Sequence, residues 1–442
     1  MFPFTRPNRQ AAATIALVAL TVLPTLYVAQ TAWRISKPGH RHEVEAEISG
    51  KLGLLVTIDA VRYPRPGEVV YTGVVFRQEE PRRKELTEVG RATTVRLRRG
   101  NRELVLDAEG LTLRAESPKL AMAQVGALLQ RSGDTTYERV SLTAATVDLD
   151  LGAGVAPYRL REVVGNFSAD ADTPTVRASY RVVSPGASTL CELTLTRERK
   201  AEPVRTTLAF KTMEGLPLSA RVLDPFFDSA DWLGRDATVE GSLSLTQDGA
   251  KEWEAEFQGS FHDIDMAELV NRRFPKHRLS GRGRLTIHSA KWAERPGQGF
   301  GWVEAKGDLA TGPGVVGFGL LQALRTEMKF RPGPKLARIV SSGQIDLDFQ
   351  KLALTFAMTG DGEIQIGGGL GSDYTEGAVI AAPTAPLVFA PEGAANVRGL
   401  IKTLFPVTQI NHGVMVPLTE KSRLLLCLPV PPDRANKPIG GN

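Results

Sequence analysis

The 442-residue chain is poor in the residues that carry most enzyme chemistry. Its two cysteines, Cys191 and Cys427, are far apart and in no C-x-x-C or zinc-type spacing, which excludes a disulfide framework and a metal knuckle. Two buried thiols and one long-range disulfide both remain compatible with the sequence. There are six histidines and no H-E-x-x-H, G-x-S-x-G or Walker sequence, so the common metalloprotease, serine-hydrolase and nucleotide motifs are missing. Neither sign of charge dominates: 54 Lys+Arg against 49 Asp+Glu leave +5. That mild excess suits an anionic membrane surface or nucleic acid and requires neither. With 42% hydrophobic and 23% charged residues, wholesale disorder is excluded, and the 43 glycines and 28 prolines imply many turns.

The first informative stretch is the uncharged run "AAATIALVALTVLPTLYVA", Ala11 to Ala29, preceded by Arg6 and Arg9. It approaches the roughly 20 residues a membrane-spanning helix needs. Trp33, Arg34 and Lys37 follow as interfacial anchors. A cleaved signal peptide is the rival reading, but its apolar core is normally shorter, and no clean small-x-small site follows the run before Trp33. We therefore expect an uncleaved signal-anchor, kinked at Pro24. Arg34, Lys37 and Arg41 balance the N-terminal arginines, so charge asymmetry does not orient it; a ten-residue leader before a long domain favours export of the domain.

Beyond the anchor the dominant pattern is period-two alternation, which sets one row of side chains on a buried sheet face and the next in water. In "KLGLLVTIDA", Leu52, Leu54, Val56 and Ile58 share a face; in "TVRASYRVV", Val176, Ala178, Tyr180 and Val182 do; "LALTFAM" places Leu352, Leu354, Phe356 and Met358 together. The habit recurs in roughly sixteen to twenty runs by these criteria, so the chain reads as mainly antiparallel sheet. A few helices interrupt it: "PKLAMAQVGALLQRSG" after Pro118, two turns broken at Pro225, and "GAANVRGLIKTLFP" with Val397, Leu400, Ile401 and Leu404 on one stripe, ended by Pro406. There is also an internal echo. "EGSLSLTQDG" with "EAEFQGSFHDIDMAELV" resembles "SGRGRLTIHSA" with "GWVEAKGDLATGPGVVGFGLLQAL", each a hairpin, a connector and a short helix.

One stretch holds the densest polar chemistry: "HDIDMAELVNRRFPKHRLSGRGRLTIH" carries His262, His277 and His288 with two aspartates and a glutamate. Its acids fit a capping box, with Asp265 as N-cap and Glu268 three residues on, and Ile264 and Leu269 as the hydrophobic staple. Arg272 and Arg273 then fall in the last turn and Pro275 stops the helix. The histidines lie on different elements, so we expect no metal or acid/base site. "GPGVVG", Gly312 to Gly317, formally matches a dinucleotide-binding fingerprint, but the strand before it alternates like a half-exposed one. "GGGLGSD" reads as a turn, and His40-x-His42 as interfacial. "VRLRRGNREL" has arginines alternating with Val95 and Leu97 and a Gly100-Asn101 turn, but no aromatics to stack bases, so it reads as a solvated strand face and no nucleic-acid partner is expected.

An anchor followed at once by "ISGKLGLLVTIDAVRYPRPGEVVYTGVVF", then "GSFHDIDMAELVNRRFPKHRLSGRGRLTI", then "SSGQIDLDFQKLALTFAMTGDGEIQIGGGL", resembles the AsmA-like envelope proteins of bacteria. The resemblance implies a single inner-membrane anchor, a periplasmic β-rich domain, and phospholipid cargo or envelope proteins as partners, with no cofactor and no catalysis. The expected organisation is a leader (1–10), an anchor (11–33), a β-rich region (34–216), an AsmA-like β region with short helices (217–382), and a C-terminal helix, strand and Pro-rich tail (383–442). The expected fold is mainly β: an elongated, curved antiparallel sheet, an open groove or half-barrel, that guides lipid or assists outer-membrane biogenesis. The alternative is an envelope scaffold that binds protein partners by strand addition.

Overall fold

In the computed structural model the uncharged run is one helix, α1 (Arg6–Ser36), whose Ala13–Ile35 span has mean hydropathy 1.7 and is unburied. It is long and apolar enough to cross a membrane. The structure describes residues 6–37, 39–79, 86–114, 137–150, 158–184, 187–213, 217–223, 229–249, 252–272, 274, 277–295, 299–334, 336, 346–372, 374–383 and 385–404. Pro24 lies inside α1 without ending it. The Thr21 and Thr25 hydroxyls donate back to Leu17 O and Thr21 O at 2.7 and 2.6 Å, so neither exposes a free polar group on the helix.

The next element departs from the sequence reading. Leu52 ends a second helix, α2 (His40–Leu52), and of the four residues expected on one strand face, Leu52, Leu54, Val56 and Ile58, only Val56 lies in a strand, the three-residue β1 (Leu55–Thr57). Val44, Ile48 and Leu52 recur every four residues, a stripe too narrow to stand out among the polar residues of "HRHEVEAEISGKL". That stripe packs on Val56, Ile58, Val69, Tyr71 and Val74.

From there the chain climbs rung by rung through a sheet of twenty-two described strands. β2 (Ala60–Arg65) and β1 flank β3 (Glu68–Glu79), which pairs with β4 (Leu86–Arg99). The turn at Gly100 and Asn101 leads, as expected, into β5 (Glu103–Glu109). β5 and β6 (Leu111–Arg114) pair in parallel with β7 (Arg139–Asp150), so among the described strands the sheet is mixed at this one place. A parallel join needs a crossover connection; the helix expected after Pro118 falls in it, outside the described residues.

The rest of the ladder is antiparallel. β8 (Tyr158–Ser168), β9 (Thr175–Ser184), β10 (Ala187–Glu198) and β11 (Arg205–Thr212) follow β7 in sequence order. Next come β13 (Thr238–Asp248), β14 (Glu252–Asp265), β15 (Arg282–Arg295) and β16 (Gly299–Thr311). The short β12 (Leu218–Ser219) and a 3-10 turn, Ala220–Leu223, precede α3 (Ser229–Leu233); Pro225, between the two helical pieces, lies outside the described residues. The ladder ends on β20 (Lys351–Thr359), β21 (Glu363–Gly368) and β24 (Ala395–Asn396).

The internal echo corresponds to real repetition. β13, β14 and the one-turn α4 (Met266–Val270) match β15, β16 and, after β17 (Gly314–Gly317), α5 (Phe318–Met328). With β19 (Asp346–Phe349), β22 (Ala378–Ala382) and β23 (Ala385–Phe389), these helices build the largest core, including Ile264, Met266, Val316, Leu321, Leu347 and Ile380.

Asp265 caps α4 as its sequence implies, its carboxylate accepting from the N–H groups of Ala267 at 2.9 Å and Glu268 at 3.4 Å. Ile264 is buried and Leu269 packs on the same core. Two details differ from expectation. The helix ends at Val270, so Arg272 lies beyond it, and Glu268 turns outward to Arg272, which also holds Asp231 at 2.6 Å. Arg273 and Pro275 fall outside the described residues. Replacing Asp265 by Ala should cost about 0.5–2 kcal/mol, measurable as a lowered urea midpoint.

Candidate functional site

The strand registers bring together what no single segment reveals. Val69 on β3 faces Leu97, Leu97 faces Leu106, and Leu106 faces Leu142 across the parallel join. The row continues through Gly165, Ala178, Leu193, Phe210 and Leu243. It then passes Phe257, Ala290, Ala305, Met358 and Ile364 to Ala395. Every one of these positions on fifteen successive strands is apolar, and at about 4.8 Å per strand the row spans about 65 Å.

A second row runs two residues away: Leu104, Val140, Phe167, Val176, Leu195, Leu208, Leu245, Ala255 and Trp292. One residue along each strand the chemistry inverts. Arg98, Ser141, Asn166, Arg177, Thr194, Ser244, Glu256, Lys291 and Glu304 occupy the intervening row, with Val105 and Ala209 as its only apolar members from β4 to β16. The Lys291 ammonium meets the Glu304 carboxylate at 3.0 Å. One face of the sheet is therefore an apolar band and the other is polar.

The sheet bends where glycines and bulges interrupt it. Gly241 (φ +149°) and Gly259 face each other across β13 and β14. A Cβ on either would stand 2.3 or 2.2 Å from the opposite strand's carbonyl oxygen, of Gln258 or Glu240. Register shifts at Phe257/Gly259 and Ile287/Ser289 accompany this close approach, as expected of bulges that curve a strand.

Among the described residues the band is covered by helices at both ends, and no described helix covers its middle. At the α1 end, α2 lies over it. At the far end α6 (Val397–Leu404) packs Val397, Leu400 and Ile401 on Phe356, Met358 and Ile364. This is the helix expected from the sequence; Pro406 lies outside the described residues. Along one side of the middle, Leu218 of β12 and Val222 cover Val182 and Cys191. Burial pushes the Cys191 thiol up to about 11, so it is neutral and unreactive at ordinary pH; Cys427 lies outside the described residues. Leu104, Leu106, Val140, Phe167, Leu193, Leu208, Leu243 and Leu245 belong to no packed cluster and are half-buried. No described helix lies over them.

No family model, no curated protein and no solved structure matches this chain.

The residues that the sequence offered as chemistry are dispersed. His262 bonds Glu240 at 2.9 Å, His288 bonds Asp308 at 2.5 Å, and buried His277 reaches the Thr403 carbonyl at 2.6 Å. Among the described residues no group of three or more His, Cys, Asp or Glu is placed to hold a metal ion. Gly312 to Gly317 leads into α5, but its strand β17 pairs antiparallel with β19 in a separate two-stranded sheet, not the parallel setting a dinucleotide fold requires. In "GGGLGSD", Gly367 and Gly368 end β21 and the described residues to Ser372 form no helix.

At the α1 end, polar side chains fix α2 over the band. Ser49 Oγ accepts from Val56 N–H at 2.9 Å and Glu45 Oε1 from Ile58 N–H at 2.8 Å. Burial of Glu45 favours its neutral form, but the Ile58 bond and His42 outweigh that and hold the carboxyl below its ordinary value. A depressed folded-state value means stability present above 4.5 and lost as pH falls below it. Urea midpoints of the wild type should therefore fall on acidification more steeply than those of Glu45→Gln, which lacks this titration.

Proposed function

We propose that the chain is a non-catalytic, membrane-anchored lipid-binding protein of the bacterial envelope, in which the apolar band holds acyl chains while the polar face meets water. The observation that carries this reading is the apolar row on fifteen consecutive strands, whose middle no described helix covers. Apolar area left in water costs about 25 cal/mol per Å², and a soluble sheet that keeps such a band half-exposed needs an occupant. The spanning α1 and the helix α2 at one end of the band supply the connection to a bilayer. This reading agrees with the AsmA-like resemblance and with inner-membrane anchoring, the bulk of the chain being periplasmic.

Strand addition by a protein partner has less support. Among the described strands the free edge beside β3 is made by the three-residue β1 and by β2, which carries Pro64, and the strands at the other end, β24 and β18 (Arg331–Pro332), are two residues long; prolines and short edges discourage such pairing. Two measurements test the proposal. The purified full-length protein should retain phospholipid detectable by mass spectrometry; lipid-free protein would sink the carrier reading. A reporter fused after Arg41 should behave as exported, and activity of a cytoplasmic reporter there would overturn the envelope assignment.

A further inference from the structure

Between α1 and α2 lies a cleft of about 380 Å³ lined by Gln30, Trp33, Arg34, Lys37, His40 and Glu43. It sits at the last turn of the spanning helix, the depth at which lipid headgroups lie. Its charges are of both signs and incompletely used. Arg34 Nη2 is 3.7 Å and His40 Nδ1 3.8 Å from Glu43 Oε2, both longer than a hydrogen bond. His40 is fixed through Nε2 to the Tyr63 hydroxyl at 2.6 Å, and its Nδ1 is buried without a hydrogen-bond partner. Such an atom is costly unless something bonds it. Lys37 Nζ rests 3.8 Å from the centre of the Trp33 ring.

Resting on the reading that α1 spans a membrane, we infer that this cleft binds a zwitterionic phospholipid headgroup carrying both a phosphate and a primary ammonium, as in phosphatidylethanolamine. Arg34 and Lys37 donate to the phosphate oxygens, and Glu43 accepts from the ammonium. The Glu43 side chain is 63% exposed, so it is accessible to a ligand and its replacement leaves the fold intact. A purely anionic headgroup satisfies the cations and leaves Glu43 facing added negative charge, so the carboxylate decides between the two classes.

The test uses the full-length protein in detergent micelles, titrated with dioctanoyl phosphatidylethanolamine and, separately, dioctanoyl phosphatidylglycerol, with native mass spectrometry as the readout. The wild type should prefer the ethanolamine lipid. Glu43→Gln should weaken it about tenfold, the scale of one charge-assisted hydrogen bond, while glycerol-lipid binding holds or tightens; Lys37→Gln should weaken both. Equal binding of the two lipids by the wild type, or an ethanolamine preference unchanged in Glu43→Gln, overturns the inference. Long-chain phospholipid retained in the same preparations reports on the band separately. Retained lipid with no Glu43 dependence rejects the cleft and keeps the carrier reading; Glu43-dependent binding by a protein that retains no lipid does the reverse.

Discussion

Leu243→Asp should strip the purified protein of at least about nine-tenths of its retained phospholipid while leaving it folded. Leu243 lies mid-row between Phe210 and Phe257, half-buried and outside the packed clusters, so its replacement opens no core. A carboxylate there must either be desolvated by an acyl chain, at several kcal/mol, or exclude the chain; each 1.4 kcal/mol is tenfold in occupancy. Ser244→Asp, one residue on and facing the polar side, is the control and should retain lipid at the wild-type level. Equal retention by both variants would show that lipid is not held on the band. Two positions that the alternation pattern alone recommends, Val56 and Phe356, are poorer probes. Val56 is core beneath α2, and Phe356 packs in the cluster that α6 covers, so a charge at either would unfold an end of the sheet.

The second large effect is on stability. Gly259→Val should lower the unfolding free energy by about 3 kcal/mol or more, or yield insoluble protein. Its Cβ would stand 2.2 Å from Glu240 O, 2.9 Å from Gly241 Cα and 2.9 Å from Phe257 Cζ, and two of these three neighbours are backbone atoms. Moving aside means parting β13 from β14. Gly312→Ala, where an added Cβ meets nothing within 4 Å, should change the urea midpoint little. A Gly259→Val protein with an unshifted midpoint would show that the two strands do not approach as closely as described.

How much of this was legible in the sequence follows from the range of each interaction. Local features were. The long apolar helix α1, the Asp265 cap, the Gly100-Asn101 turn, the α6 stripe and the repeated hairpin-helix unit depend on residues within a few positions of one another. α2 was not, because only three of its thirteen residues form the apolar stripe. The continuous band was not either. Alternation shows that each strand has an apolar face, but only the registers show that the faces align, through the parallel join and past the bulges, into one surface. The Gly241–Gly259 contact is likewise a property of two strands and reads in sequence as two unremarkable glycines.

The ladder order has a further consequence for how the chain folds. From β7 to β11 and from β13 to β16 each strand pairs with its immediate successor in the chain, so most contacts form between segments a hairpin apart. Such a molecule gains stability by nearest-neighbour increments, as repeat proteins do. Within these two runs each new strand finds its template already in place as the chain is made N-terminus first, whereas the parallel join to β7 and the pairing of β16 with β20 close over longer loops. Loss of an internal hairpin should therefore shorten the sheet and leave the remaining rungs paired, so the length of the apolar band can change by whole hairpins without a change of fold.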